Sequence, residues 1–526
     1  MNGLVLALLT LQAAGAKPAG KPEFARVATL AMEADWKPVA ALAADFDGDK
    51  ALEVAVACCA RGKSAARRLE IWRGVPGSFA RAKVIDLTPD VVAFATGDVL
   101  AGNGAEVLLF NGSGAFALAP LPGEARGERI VECDFLWQVP DPSMVHVWQD
   151  GVMDLDGDGL DDLVLPEPGG FLVCAQRRPR EGGAFGVVSR LRVPEEADAG
   201  GVWVSATRRE GPAVRGRRQR PSYTLELTEG EEETIGSRPA ILAQASESVS
   251  SPHFIDWDAD GDLDLVVQTS HHLHVFTQDR GAFAPAVAHS LELPVDVDAA
   301  RRLDASYSSH AVDLDLDRRA DCVIFAGDKR SEDVRTQGLF FTQAGVKDGP
   351  APFGTDGRPS NLLVFAGFIS GPRFVDLDGD RYPELVLRAV RPDLIDQLRS
   401  ASSKAIDAEL YIYRNRRGVL SRQPDVTWKR TIPLERFQLT AEFCGDLTGD
   451  GISELLARDE PEKLRVMFVR SQGNADKSTW TLFDKPLWET AIHEDASVDL
   501  VAPRPGDSGP SVLVIEPAQV LFVRFG

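Results

Sequence analysis

The stretch VMDLDGDGLDDLVLP, residues 152–166, places Asp154, Asp156, Asp158 and Asp162 at positions 1, 3, 5 and 9 of a short loop. Gly159 stands at position 6, Leu160 at position 7, and apolar residues flank the loop on both sides. The pattern reads as strand, acidic loop, strand. Alternate residues of a tight loop can point their carboxylates at one centre. A hard cation such as calcium takes six to eight oxygens at about 2.3–2.6 Å. A backbone carbonyl at position 7 and the acid at position 9 would complete that shell, and glycine near the middle supplies the left-handed backbone of the turn. For a single copy, a solvated acidic turn is the plain alternative.

The unit recurs, and recurrence in register argues for the cation. Five further copies carry Asp45, Asp47, Asp49 and Glu53; Asp256, Asp258, Asp260 and Asp264; Asp313, Asp315, Asp317 and Asp321; Asp376, Asp378, Asp380 and Glu384; and Asp446, Thr448, Asp450 and Glu454. Two copies are worn down. One keeps Asp98 and Glu106 but has Leu100 and Gly102 at positions 3 and 5; the other, from Pro503, keeps the turn without the acids. The loops begin at 45, 98, 154, 256, 313, 376, 446 and 503, and one step is about twice the others. The copies at 154, 256 and 446 have glycine at position 6. Those at 45 and 376 have Lys50 and Arg381 there, with glycine at position 4 instead. The copy at 313 has Arg318 and no loop glycine, which makes it the weakest candidate.

Between loops the chain reads as further strands. LEIWRG (69–74), HHLHVFTQ (271–278), AELYIYRN (408–415) and KLRVMFVR (463–470) follow the apolar strand after each loop. A last strand follows, often opened by a small-aromatic pair, as in GSFARAKVIDL, GAFGVVSRLRV, GAFAPAVAHSLEL and STWTLFDKPL. Four strands per repeat make a propeller blade. The expected fold is all-β, a β-propeller of about eight four-stranded blades, with seven as the alternative. The last repeat lacks its outer strand, and PEFARVATLAM (22–32) mimics GSFARAKVIDL (77–87). The N-terminal strand is therefore expected to complete the last blade and close the ring, removing open sheet edges.

At 526 residues the chain exceeds a usual single core. Repeats escape that limit because each packs on its neighbours. The net charge of −22 speaks against nucleic acid, which wants a basic face, and suits carboxylates that hold cations. Residues 1–16 read as a secretory signal, with the apolar run Leu4–Leu11 and the small-residue site Ala14-Gly15-Ala16. That run is too short to span a bilayer, and no other segment is apolar enough for a transmembrane segment. Residues 17–526 are then the propeller, with an insertion at about 194–250 that carries RGRRQR (215–220). Solvated charge on an exposed loop is the plain reading of that run; a binding arm or proteolytic site is the sharper one. Cys58, Cys59, Cys133, Cys174, Cys322 and Cys444 lack zinc-site spacing, and most fall in or beside strands as small apolar residues.

The loops resemble the calcium loops of FG-GAP and VCBS repeats, as in the integrin α-subunit head. The copies at 154 and 256 match the family pattern D-x-[DN]-x-D-G-x-x-D in full. The resemblance implies a propeller of seven or eight blades with calcium at the blade edges. It does not imply one function, since the fold serves adhesion, carbohydrate binding and, in some polysaccharide lyases, catalysis.

Catalytic signals are sparse. Gly506-Asp507-Ser508-Gly509-Pro510 lacks a second glycine and a matching histidine motif, and reads as the turn of the last repeat. His272 and His274 share a strand face, and His271 precedes them. His253, His310 and Arg373 each lie three residues before the first Asp of their loops, so they could ring one surface or channel. Ordinary packing is the plainer reading of all of these. The expectation is thus a secreted or periplasmic, monomeric, Ca2+-binding module for a carbohydrate or protein ligand at the propeller face. A polysaccharide-active enzyme on the same scaffold is the competing expectation, and the binding module is favoured over it.

Overall fold

The computed structural model describes residues 24–62, 66–75, 78–100, 104–121, 127–135, 143–176, 185, 187–194, 252–269, 272–293, 306–328, 335–342, 358–366, 368–390, 405–433, 440–472, 479–501 and 510–525. The expected signal at 1–16, nearly all of the 194–250 insertion, the turn from Pro503 and His271 lie outside these residues.

The chain folds as an eight-bladed propeller of antiparallel sheets, with one added strand, His146–Val147, parallel to Ala93–Gly97 in blade 2. Blade 1 runs from the inner strand Trp36–Ala44 through Glu53–Ala60 and Arg67–Val75 to the outer strand Ser78–Leu87. The inner strands of blades 2 to 8 are Ala93–Gly97, Val152–Met153, Pro252–Ile255, Ser306–Val312, Phe368–Val375, Thr440–Phe443 and Ser497–Val501. Eight blades, rather than seven, follow because the worn copies at 98 and 503 each fall between the first and second strands of a sheet of their own.

The second strand of each blade explains the ring. These strands are short apolar runs, such as VAVACC (54–59), LVLP (163–166) and CVIF (322–325). Such runs are buried on both faces. Side chains alternate across a strand, so one residue packs on the preceding blade and the next on the following one. Val54, Val56 and Cys58 pack against blade 8, while Ala55 and Ala57 pack against blade 2. Leu265 and Val267 face blade 3, and Val266 faces blade 5. Among the described residues this yields a separate apolar cluster between every adjacent pair of blades, the pair formed by blades 8 and 1 included.

Closure occurs where the sequence placed it. Ala25–Ala31 pairs antiparallel with Gln519–Phe525, from Ala25 opposite Phe525 to Ala31 opposite Gln519, as the outer strand of blade 8. Leu30 is fully buried between blades 8 and 1, and the Phe24 ring meets Phe525 edge-on at 6.0 Å.

Local departures from the expected strands have identifiable causes. The small-aromatic pair opens the outer strand in blade 1. In blades 4 and 7 it forms a separate hairpin instead, Gln278–Asp279 with Ala282–Phe283 and Val469–Gln472 with Thr479–Leu482. Phe283 and Trp480 there bury their rings in the clusters shared with blades 3 and 6. The outer strands His289–Glu292 and Trp488–Ala491 start after those plugs. The cysteines are all buried, and no disulfide joins them.

Removal of residues 22–34 should lower the melting temperature of the whole protein, not of one blade alone. Leu30→Ala should cost about 2–5 kcal/mol, as for other buried leucines. Chemical denaturation followed by tryptophan fluorescence checks both; an unchanged midpoint in the two variants would count against closure by this strand.

Candidate metal centres in the acidic loops

The six acidic loops share one backbone. Residues at position 4 (Gly48, Gly157, Ala259, Leu316, Gly379 and Gly449) all have φ between 61° and 77°. Those at position 6 (Lys50, Gly159, Gly261, Arg318, Arg381 and Gly451) lie between 67° and 100°. Both positions are therefore left-handed in every acidic loop. Glycine at position 4 does not stand in for glycine at position 6, because each loop makes both turns. The 313 loop makes both with L-residues, at about 1–2 kcal/mol each. Its lack of glycine strains that loop without changing its shape.

The position 1 carboxylate holds the turn by accepting the backbone N–H of position 6. Lys50 donates to Asp45 at 2.9 Å, Gly159 to Asp154 at 2.8 Å, Gly261 to Asp256 at 3.1 Å and Arg318 to Asp313 at 3.0 Å. Arg381 to Asp376 at 3.0 Å and Gly451 to Asp446 at 2.8 Å complete the set. The position 5 carboxylate accepts the N–H of position 7, as from Ala51 to Asp49 and from Leu160 to Asp158, both at 2.8 Å.

Position 9 plays a part the spacing did not reveal. Glu53, Asp162, Asp264, Asp321, Glu384 and Glu454 are all buried, at 1% exposure or less. Each accepts the backbone N–H of position 2. The donors are Phe46 (2.8 Å), Leu155 (2.9 Å), Trp257 (2.9 Å), Leu314 (3.0 Å), Leu377 (2.9 Å) and Leu447 (2.5 Å). The worn loop at 98 keeps this bond: Val99 donates to Glu106 at 2.9 Å. The side chain at position 2 packs into the cluster toward the following blade, as Phe46, Val99, Leu155, Trp257, Leu314 and Leu377 show. One bond thus ties the loop to blade packing. The signal was present in the sequence as an apolar residue at position 2 of each of these copies.

Amide side chains link successive loops. The Gln176 amide donates to the carbonyls of Asp98 and Asp161, Gln278 to Leu155 and Leu263, and Asn415 to Leu314 and Pro383. Each bridges its own loop to that of the preceding blade. These three residues escaped the sequence reading because they lie far from the acidic motif along the chain.

Carboxylate oxygens of the candidate residues converge. Oxygens of Asp45, Asp47 and Glu53, of Asp154, Asp156 and Asp162, of Asp313, Asp315 and Asp321, and of Asp376, Asp378 and Glu384 lie within 4.8 Å of one another in each set, as do those of Asp256, Asp258 and Asp260. These groups could hold a metal ion. Positions 1, 3 and 9 converge in four loops, and positions 1, 3 and 5 in the loop at 256. In the loop at 446 the Thr448 hydroxyl donates to Glu454 Oε1 at 3.2 Å. A fit to a cation also shows in orphaned oxygens: Glu53 Oε1, Asp313 Oδ1 and Asp378 Oδ1 are buried without a hydrogen-bond partner among the described residues. A buried, unsatisfied carboxylate oxygen is costly, and a coordinated cation removes that cost.

Electrostatics agree. Burial raises Glu53 from its ordinary 4.5 to about 7, Asp162 and Asp264 from 3.8 to about 7, Glu384 from 4.5 to about 8 and Glu454 from 4.5 to about 7. Backbone N–H bonds oppose the rise, and the neighbouring aspartates add to it.

The histidines are placed differently. His253 and His310 come together on the inner strands of blades 4 and 5, with ring centroids 5.9 Å apart. Phe325 and Phe374 meet the His310 ring edge-on, and burial lowers its pKa to about 4, with His253 adding to the effect. Arg373, on the inner strand of blade 6, pairs with Glu442 of blade 7 at 3.0 Å. His272 and His274 share a face as expected, their rings stacked at 5.6 Å.

Two outcomes follow. With a chelator present, the raised position 9 carboxyls stabilise the fold while protonated; that contribution is complete below about pH 4 and is lost as pH rises through 7 to 8. The chelated protein should melt higher at pH 5 than at pH 8, and saturating calcium should reverse the order, because coordination needs the ionised form. Calorimetry across that window checks this. Leu316→Gly should stabilise the protein by roughly 0.5–1 kcal/mol, the relief of a left-handed L-residue less the added freedom of the unfolded chain; a destabilised variant in urea melts would contradict it.

No protein-family model matches the chain. No curated protein matches it. Among solved structures it is similar to an Agrocybe aegerita lectin, described for recognition of non-reducing terminal N-acetylglucosamine, with 14% identity, 89% of this chain and 94% of that one covered, and a TM-score of 0.37. It is also similar to BBS1N, solved in complex with ARL6DN, with 9% identity, 95% and 98% covered, and a TM-score of 0.30. Similarity at this level says nothing of ligand or activity.

Proposed function

We propose that the chain is an exported, calcium-binding β-propeller of the FG-GAP/VCBS kind that serves as a binding or scaffolding module. The observation that carries the metal reading is the convergence of three carboxylates in each of five loops. The ligands are the acidic residues at positions 1, 3, 5 and 9, with Thr448 at position 3 of the loop at 446. A bound calcium would supply positive charge to each acidic loop. The chain's own residues do the rest. Position 1 fixes the turn, position 9 anchors position 2, and position 2 seats the loop against the next blade. The rims and faces of a ring made rigid in this way would present the recognition surface for a carbohydrate or protein ligand. Export is supported by the Leu4–Leu11 run and the Ala14-Gly15-Ala16 site.

Calcium binding to the folded state adds RT ln(1 + [Ca]/Kd), about 2.7 kcal/mol per site at a hundredfold excess over Kd. Chelation should therefore lower the melting temperature clearly. Asp156→Ala and Asp258→Ala should each remove one bound calcium, and Asp98→Ala none, when bound metal is counted by equilibrium dialysis. A native protein that takes up no calcium at millimolar supply would end the metal reading. A glycan array probed with calcium present tests the carbohydrate arm.

A further inference from the structure

The six acidic loops are alike in backbone but not in what faces them from the third strand. Position 10 of each loop pairs across the sheet with a third-strand residue: Val54 with Trp72, Leu163 with Cys174, Leu265 with Phe276, Cys322 with Phe341, Leu385 with Tyr413 and Leu455 with Met467. The residue after that partner is Arg73 for the loop at 45 and Arg414 for the loop at 376. In the other four it is Ala175, Thr277, Thr342 and Phe468, none of them cationic.

Both arginines reach the position 3 aspartate, a member of the converging group. Arg73 Nη2 contacts Asp47 and lies 3.2 Å from Asp49 Oδ2. Arg414 Nη2 lies 3.1 Å from Asp378 Oδ2. The two settings differ in strength. The Arg414 side chain is 9% exposed, and its guanidinium sits 4.7 Å from the ring centre of Trp480, which belongs to blade 7. The Arg73 side chain is 49% exposed, where solvent weakens the pair. A base at position 6 does not set these two loops apart, because Lys50 and Arg381 are matched by Arg318 in the loop at 313.

We infer that Arg73 and Arg414 act as built-in cations for the loops at 45 and 376, so that these two loops take up calcium more weakly than the other four, the loop at 376 most weakly. This rests on the reading of the acidic loops as calcium sites. A metal ion that uses the position 3 oxygen must displace a guanidinium and compete with its charge. An opposite charge at this range changes ionisation by one to three pKa units, so its effect on cation affinity is roughly tenfold or more.

The test uses the full chain with Arg414→Gln and Arg73→Gln. Calcium titration by calorimetry, with bound metal counted by dialysis, should show four tighter sites in the native protein. Each variant should move one weak site into the tight class, with a gain of roughly tenfold for Arg414→Gln and less for Arg73→Gln. With a chelator present, Arg414→Gln should melt below the native protein, and calcium should restore it. Six equivalent native sites, or variants with the native site count, would overturn the inference. If native protein and variants bind no calcium at all, the calcium reading fails, and the chelated melt decides the rest. An unchanged melt then overturns the arginine's role as well, whereas a lowered melt sustains Arg414 as the permanent cation of its loop.

Discussion

The bond from the backbone N–H of position 2 to a buried carboxylate at position 9 is the constraint on which this propeller depends. Among the described residues it occurs in seven loops, from Phe46 with Glu53 to Leu447 with Glu454. Its geometry fixes where the position 2 side chain goes, and that side chain fills the gap to the next blade. The loop at 98 shows that the bond stands apart from metal ligation, because Glu106 keeps it where Leu100 and Gly102 replace two acids. A blade therefore forms without acids at positions 3 and 5 of its loop.

Burial of that carboxylate sets up an electrostatic problem. In five acidic loops burial raises the position 9 carboxyl well above its ordinary ionisation range, with two or more further acids of the loop around it. Backbone donors satisfy part of the negative charge, and protonation or a cation can offset the remainder. Two loops draw on arginine from the third strand, and the converging oxygens of the acidic groups suit a metal.

The ring itself is held by apolar surface. Second strands buried on both faces give each blade two interfaces, and the amides of Gln176, Gln278 and Asn415 stitch neighbouring loops together at the same rim. Loop and interface are thus coupled between blades. Closure by residues 25–31 makes that coupling circular, with no blade left as an end.

The sequence by itself determined the fold class, the repeat register and the closing strand. Those features depend on local spacing and period-two alternation, which the chain writes out along its length. The spacing of Asp154, Asp156 and Asp162 also placed the candidate ligands, because a nine-residue loop can turn in few ways. Only the tertiary structure decided what is brought in from elsewhere. The position 9 acids proved to be buried acceptors, since burial depends on the neighbouring blade. Left-handed turns at both positions 4 and 6 emerged even where Leu316 and Arg318 stand, because the carboxylate at position 1 and the packing of position 2 outweigh a local preference of about 1–2 kcal/mol each. Arg73 and Arg414 meet their loops only through sheet register, 26 and 36 residues beyond Asp47 and Asp378, and nothing short of the folded blade brings such charges into contact.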